Sequence, residues 1–350
     1  MNRRYTRALI TGVSGQDGAW LAAQLLREGI EVTGTIRPSG PAESWRLEEL
    51  GVSAHTGLTL RTLDLRNPTA CRLMVAEVAP QAIFHLAGQS RVADSFRDPL
   101  GSVQANGIGT LNLLEAMRRD APDAHFVLAS SAEIFGSPTK APQDEETPTM
   151  ATSPYGLSKL LAHSAMNCWR ASFGLAASSA ILFNHESELR DSAFVTRKIT
   201  SAVARISLGL EQELKLGNLD ARRDFGYAPE YVAALADMAD SETGDDYVLA
   251  TGHAASVREF ATSAFASVGV ELEWSGSSKG EFAVDASSGK RRIVVDPSLF
   301  RPVDAPLLVG NAAKAREHLG FKPIVELGEL TRRMVEADLE RERKHSGSSN

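Results

Sequence analysis

The first half of the chain repeats one pattern: a short aliphatic or β-branched run, a polar or glycine-containing turn, then a longer segment of helical period. Few folds accommodate that repetition. The runs lie at Arg7 to Thr11, Glu31 to Ile36, Leu58 to Leu63, Gln81 to His85, His125 to Ala129 and Ala177 to Leu182. Successive right-handed crossovers of this kind build a parallel sheet covered by helices on both faces. Ligands of such a sheet sit beyond the carboxyl ends of its strands. After about residue 183 the alternation weakens, and short elements such as Glu213 to Leu216 and Arg291 to Val295 are separated by long turns. Helix Glu230 to Met238 and strand Asp246 to Ala250 read as a return to the first sheet. The expected fold class is α/β, a Rossmann-type doubly wound parallel sheet with a smaller, discontinuous α/β domain. Residues 1–182 with about 225–255 would form the larger unit, and about 183–224 with 256–340 the smaller. The charged end, closing in Ser-Gly-Ser-Ser-Asn, is expected to leave 341–350 as a frayed tail.

At 350 residues and 43% hydrophobic content, the chain can bury a full core. A net charge of -7 would repel nucleic acid and an anionic membrane surface, so neither is an expected partner. Any phosphate must therefore meet local cations. Cys71 and Cys168 have neither paired nor CxxC spacing, which fits a reducing compartment, and no HExxH pair is present, so no metal is expected. The opening apolar run is too short for a signal peptide, and no stretch approaches the roughly 18 apolar residues of a membrane span. A cytoplasmic location is expected.

The first strand runs into Thr11-Gly12-Val13-Ser14-Gly15-Gln16-Asp17-Gly18 and then an amphipathic segment. Glycines at 12, 15 and 18 allow a tight turn, close approach of a pyrophosphate and helix–strand packing, with the helix amino terminus facing the phosphates. A plain glycine-rich turn is the alternative. The second strand ends in Thr35-Ile36-Arg37 where an acidic reader of the adenosine ribose is usual. An arginine suits a 2′-phosphate and favours NADP over NAD; a solvated surface arginine is the alternative. Asp64, beside Leu65, could bind the adenine amino group or simply close a turn. The small residues of Leu86-Ala87-Gly88-Gln89-Ser90 would let the chain pass close to a cofactor.

Strand His125 to Ala129 is followed by Ser130-Ser131-Ala132-Glu133, and a later helix opens Ser153-Pro154-Tyr155-Gly156-Leu157-Ser158-Lys159. Proline starts that helix, and i, i+4 spacing puts Tyr155 and Lys159 on one face. A free tyrosine has a pKa of about 10, so a nearby ammonium is needed to stabilise its phenolate. Ser131, Tyr155 and Lys159 suffice for hydride chemistry. Glu133 adds a carboxylate able to remove a proton beside a ketone, unless it is a capping or salt-bridged glutamate. Asn106, in Asn106-Gly107-Ile108-Gly109-Thr110, falls where superfamilies of this pattern often carry an NxxGT segment.

These residues resemble one family of the extended short-chain dehydrogenase/reductase superfamily, the GDP-mannose 4,6-dehydratases. Its most specific strings are Ile181-Leu182-Phe183-Asn184-His185-Glu186-Ser187, Phe194-Val195-Thr196-Arg197-Lys198-Ile199, and Leu216-Gly217-Asn218-Leu219-Asp220 with Arg223-Asp224. The resemblance implies NADP as cofactor and GDP-mannose or a related sugar nucleotide as substrate. In it, Tyr155 takes the O4 proton with Ser131 bonding O4, Lys159 holds the ribose, and Glu133 removes the C5 proton before water leaves from C6. His185 and Arg190, with Gln16, Asp17, Leu65 and Ser90, are implied cofactor contacts. Asn184, Val195, Lys198, Gly217, Arg223, Arg301 and Asp304 are implied contacts of the sugar nucleotide, together with Ser90, Ser131 and Glu133. A homodimer or homotetramer is implied.

The chain departs from the family in three places. In place of the family's Thr-Ser-Glu it has Ser131-Ala132-Glu133, where Ser131 can replace the threonine hydroxyl but Ala132 lacks a hydroxyl that could help protonate the leaving oxygen; Pro38 replaces an arginine, and Asp304 replaces a glutamate. A sugar-nucleotide epimerase or 4-ketoreductase, which has no need of Glu133, is the competing reading. A cofactor-fold binding protein without turnover is the third.

Overall fold

The computed structural model describes residues 3–38, 45–300 and 307–347. Seven parallel strands form its central sheet: β1 (Arg7–Thr11), β2 (Glu31–Ile36), β3 (Leu58–Thr62), β4 (Ala82–His85), β5 (His125–Ala129), β6 (Ala177–Leu182) and β7 (Asp246–Leu249). Their order is β7-β6-β5-β4-β1-β2-β3, so the direction of strand addition reverses at β1 and β4. The expected sheet forms, with ends shifted by one residue at β3, β4 and β7.

Alternation along each strand explains the two layers. Ala8 and Ile10 of β1 and Val127 and Ala129 of β5 join a core with the helices Gln16–Arg27 and Ala228–Met238. Their neighbours Leu9, Phe126 and Leu128 point the other way, into a core with the helices Pro68–Val78, Gly109–Asp120 and Pro154–Phe173. Strands covered on both faces read as continuous apolar runs, and every residue of β4, β5 and β6 is buried. Edge strand β3 is mostly exposed.

A further core gathers the helices Val195–Ser207, Val257–Ala266 and Leu327–Gly347 around a four-stranded sheet built from Leu214–Leu216, Leu272–Ser275, Phe282–Asp285 and Arg291–Val295. The strand Arg222–Tyr227 pairs with Asn184–Glu186, which leaves β6 after one residue. That short link carries the chain from the sheet's carboxyl edge to the second core. The end of the chain corrects the expectation of a tail, because 341–347 continue the last helix. Ion pairs at helical spacing run along this helix, Arg332 with Glu336 at 2.7 Å and Arg341 with Asp338 at 3.1 Å. Arg341 also reaches Glu49 at 2.9 Å, which holds the helix at that point, while 343–345 are exposed. Among the described residues no helix is long and apolar enough to cross a membrane.

Candidate active site

β1 delivers the chain into a turn that only glycine fits. Gly12 has a φ of +77°, and a Cβ there would stand 2.7 Å from the Ala87 backbone. A Cβ on Gly18 would stand 2.2 Å from the Gly12 carbonyl oxygen, so helix Gln16–Arg27 packs on the turn through bare backbone. Two effects of opposite sign meet at this position. Helix propensity favours Gly18→Ala by about 1 kcal/mol, whereas the backbone clash costs roughly 3 kcal/mol. We expect net destabilisation, read as a lower urea midpoint. A higher midpoint would show that the turn yields freely and that the close approach is not required.

Gly15 caps this helix without a side-chain bond to its amides, and Gln16 and Asp17 occupy its first turn. Gln16 Nε2 donates to Asp17 Oδ1 at 3.0 Å and to the His185 carbonyl at 3.1 Å. His185 Nδ1 lies 2.7 Å from the Phe183 carbonyl and its Nε2 3.0 Å from Asp17 Oδ2. A ring with acceptors at both nitrogens favours the imidazolium. Burial pushes the Asp17 carboxyl up, but the His185 charge and hydrogen bond outweigh it and hold the group at about 2. Burial alone would lower the His185 pKa, and Asp17 turns the net shift upward.

Beyond β5, Ser131 opens a short 3-10 turn and its Oγ accepts from the Glu133 amide at 3.3 Å. Ser153 caps helix Pro154–Phe173 through the Gly156 amide, which sets Tyr155 and Lys159 inward, both buried. The Tyr155 hydroxyl is pushed up to about 12, chiefly by burial; a hydrogen bond with Ser131 lowers it, Glu133 raises it and Arg190 lowers it. Lys159 donates to the Ala129 carbonyl at 2.8 Å, and burial lowers its amine to about 8. In the chain by itself the Lys159 ammonium is held at the strand end, and Ser131 and Arg190 lower the Tyr155 pKa.

Asn106 holds the loop Leu86–Ser90 by both ends of its amide, accepting from the Gln89 amide at 2.8 Å and donating to the Gln89 carbonyl at 3.0 Å. It also donates to Ser158 Oγ at 2.8 Å, joining that loop to the Tyr155 helix. The Leu86 and Ala87 amides bond to Thr11 at 3.2 and 3.3 Å. Gly88 lets this loop pass Asn106, since a Cβ there would stand 2.4 Å from Asn106 Oδ1.

Ser90 ends the loop exposed, and Arg37 is exposed just past β2. Asp64 is engaged by Arg66 in two bonds of 2.9 Å, and the Leu65 carbonyl accepts from Asn112 at 2.8 Å.

The remaining expected contacts sit on the second core's side. Asn184 is in register with Phe225, two residues from buried Arg223, whose guanidinium donates to the Arg222 carbonyl at 2.8 Å. Val195 and Lys198 lie in the first turn of Val195–Ser207, and burial lowers the Lys198 amine. A Cβ on Gly217 would meet the Leu299 carbonyl oxygen at 2.6 Å. Arg301 and Asp304 lie outside the described residues. Sequence reading missed Arg46 and Arg197, which grip the loop carrying Arg190. Nothing local marks them, because Arg46 and its partners, and Arg197 and Asp338, are brought together only by the fold.

The residues present fit NADP. The turn at Gly12 to Gly18 exposes backbone rather than side chains, and exposed Arg37 follows the strand whose Thr35 carbonyl holds the Gly12 amide at 3.1 Å. Gln89 Oε1 and Ser130 Oγ are buried without a hydrogen-bond partner, polar groups that an entering ligand would satisfy.

The sequence pattern of the family described as GDP-mannose 4,6 dehydratase matches residues 9–334. GDP-mannose 4,6-dehydratase of Sinorhizobium fredii (strain HH103) is 43% identical over 337 residues, covering 95% of this chain and 96% of that protein. GDP-mannose 4,6-dehydratase sdnI of Sordaria araneosa is 41% identical over 97% of this chain, which spans 62% of that protein's length. Among solved structures, RMD from Pseudomonas aeruginosa complexed with NADPH superposes with a TM-score of 0.74 at 25% identity, over 96% of this chain and 100% of that one. The match runs through both cores and all the strings around the site, and the chain belongs to the GDP-mannose 4,6-dehydratase family.

Proposed function

We infer that the chain converts GDP-D-mannose to GDP-4-keto-6-deoxy-D-mannose with loss of water, using NADP. The observation that supports this reading is that Glu133 sits in the short turn opened by Ser131, which packs on the Tyr155 helix so closely that a Cβ on Gly156 would stand 2.6 Å from the Glu133 carbonyl oxygen. Hydride transfer alone needs no carboxylate at that point.

In the mechanism, Ser131 and Tyr155 receive the sugar O4, and Tyr155 takes its proton as C4 becomes a ketone. NADP, when bound, supplies the acceptor and then the donor of the hydride that leaves C4 and returns to C6. The ketone acidifies the C5 hydrogen. Glu133 removes that proton and passes it to the C6 hydroxyl, which departs as water, and C5 then takes a proton from Tyr155, which exchanges with solvent. Gly12, Gly15, Gln16 and Asp17 with the loop Leu86–Ser90 hold the cofactor's phosphates and nicotinamide half. Arg37 meets the 2′-phosphate, and Lys159, His185 and Arg190 flank the ribose. Asn184, Val195, Lys198, Gly217 and Arg223 receive the sugar nucleotide, with Arg301 and Asp304 completing its nucleotide end. Cations there offset an acidic chain, as a diphosphate requires.

On this reading residues 1–182 with about 225–255 carry the cofactor, and 183–224 with 256–340 carry the substrate. The location is cytoplasmic. The chain assembles as a homodimer or homotetramer, an expectation supported by exposed Leu157 and Phe173 on the Tyr155 helix.

Incubation of purified protein with GDP-mannose and NADP in deuterated water tests the function. The expected product is a 4-keto-6-deoxy sugar nucleotide carrying deuterium at C5, with no net consumption of cofactor. Recovery of unlabelled GDP-mannose would overturn the reading, and inversion at C4 without dehydration would replace it with an epimerase.

A further inference from the structure

Three consecutive backbone carbonyls of the loop that follows Asn184–Glu186 are each taken by an arginine. Arg197 donates to the Glu188 carbonyl at 3.0 Å and the Arg190 carbonyl at 2.9 Å, and buried Arg46 donates to the Leu189 carbonyl at 2.7 Å. Arg46 also donates to the Ser14 carbonyl at 3.0 Å, in the glycine turn. Arg197 is gripped from behind by Asp338 of the last helix, 141 residues further along the chain, through a two-pronged pair of 2.6 and 2.9 Å. The Asp338 residue is 2% exposed, and Thr200 adds a donor to it at 2.8 Å.

Ser187 and Leu189 are buried, so the carbonyls of this loop need partners within the protein. Burying two guanidinium groups and a carboxylate to hold them carries a desolvation cost, which implies that the loop's position matters. The loop carries Arg190 to the active centre. Its guanidinium lies 2.9 Å from buried Glu186 and 3.7 Å over the Phe194 ring, and Thr196 fixes Glu186 in turn at 2.6 Å. Among the charged groups acting on Tyr155, Glu133 and Asp17 oppose its ionisation and Arg190 favours it.

We propose that Arg197, clamped by Asp338, is a positioning residue that sets the 187–191 loop so that the Arg190 cation stands at Tyr155. The proposal rests on the dehydratase reading. Lysine cannot replace Arg197, because one ammonium cannot span two carbonyls and both carboxylate oxygens as a planar fork does.

Arg197→Lys, with the fold checked by thermal unfolding, is expected to lower kcat roughly 10- to 100-fold. The KM for GDP-mannose should stay within about twofold, the mark of an interaction expressed beyond ground-state binding. The acidic limb of kcat against pH, set by Tyr155 ionisation in the enzyme loaded with cofactor and substrate, should move to higher pH. Arg190→Gln should move it the same way, and Asp338→Asn less far. A folded Arg197→Lys with wild-type kcat, or with lower kcat and an unmoved limb, overturns the proposal. Should that variant fail to fold, Asp338→Asn decides alone: an unmoved limb overturns it and an upward shift supports it. A wild-type chain that forms no ketone removes the dehydratase reading and this proposal with it, whereas an active wild type with unaltered variants removes only this proposal.

Discussion

Glu133→Gln is expected to stop the reaction between its two halves. Glutamine keeps the shape of the side chain but has no basicity, so the C5 proton stays in place and elimination falls by roughly 10³-fold or more. The first half should survive. Glu133 opposes ionisation of Tyr155, so its neutral replacement lowers the Tyr155 pKa and eases removal of the O4 proton. Two measurements separate the halves. Trapping with borodeuteride should capture up to about one equivalent of a 4-keto sugar per site, still bearing its C6 hydroxyl, as expected for oxidation without release. Incubation in deuterated water should leave C5 unlabelled. Undiminished 4-keto-6-deoxy product from this variant would remove Glu133 as the base.

The sheet was legible in the sequence because its physics is local. A strand buried on both faces must be apolar throughout, so His125–Ala129 and Ala177–Leu182 were readable to the residue. The glycine turn was equally plain. Geometry shows why Gly12 and Gly18 admit no side chain, a constraint the spacing of glycines could only suggest. Other features depend on partners that no sequence window contains. The charged end read as a tail because its residues resemble a solvated stretch, yet Arg341 finds Asp338 on its own helix and Glu49 nearly three hundred positions away. Arg197 and Asp338 are unremarkable until folding joins them. Ala132 looked like a lost proton donor. Ala132 is buried in an apolar cluster with Ile134, Phe135, Ile181 and Phe183, a surrounding that the string alone does not show.

Tyr155→Phe should abolish both halves, because without the phenol nothing takes the O4 proton and no ketone forms at C4. A loss of roughly 10³- to 10⁴-fold in kcat is expected, the upper range for removal of a general base. Binding should persist, since the ring that packs the site is retained. The pH dependence makes the test specific. Tyr155 stands at about 12 and Lys159 at about 8 in the chain by itself, so at neutral pH the phenol is protonated and the ammonium largely charged. Wild-type kcat should therefore rise with pH as a growing fraction of Tyr155 ionises. As Lys159 loses its charge above about 8, whatever that charge contributes to holding the ligands fades, and the rise should flatten or reverse. In Tyr155→Phe the rising limb should vanish along with the activity. A variant that kept more than about a tenth of wild-type kcat, or kept the rising limb, would show that another group takes the O4 proton. The carboxylate of Glu133 would be the first to examine, because it acts on the same hydroxyl.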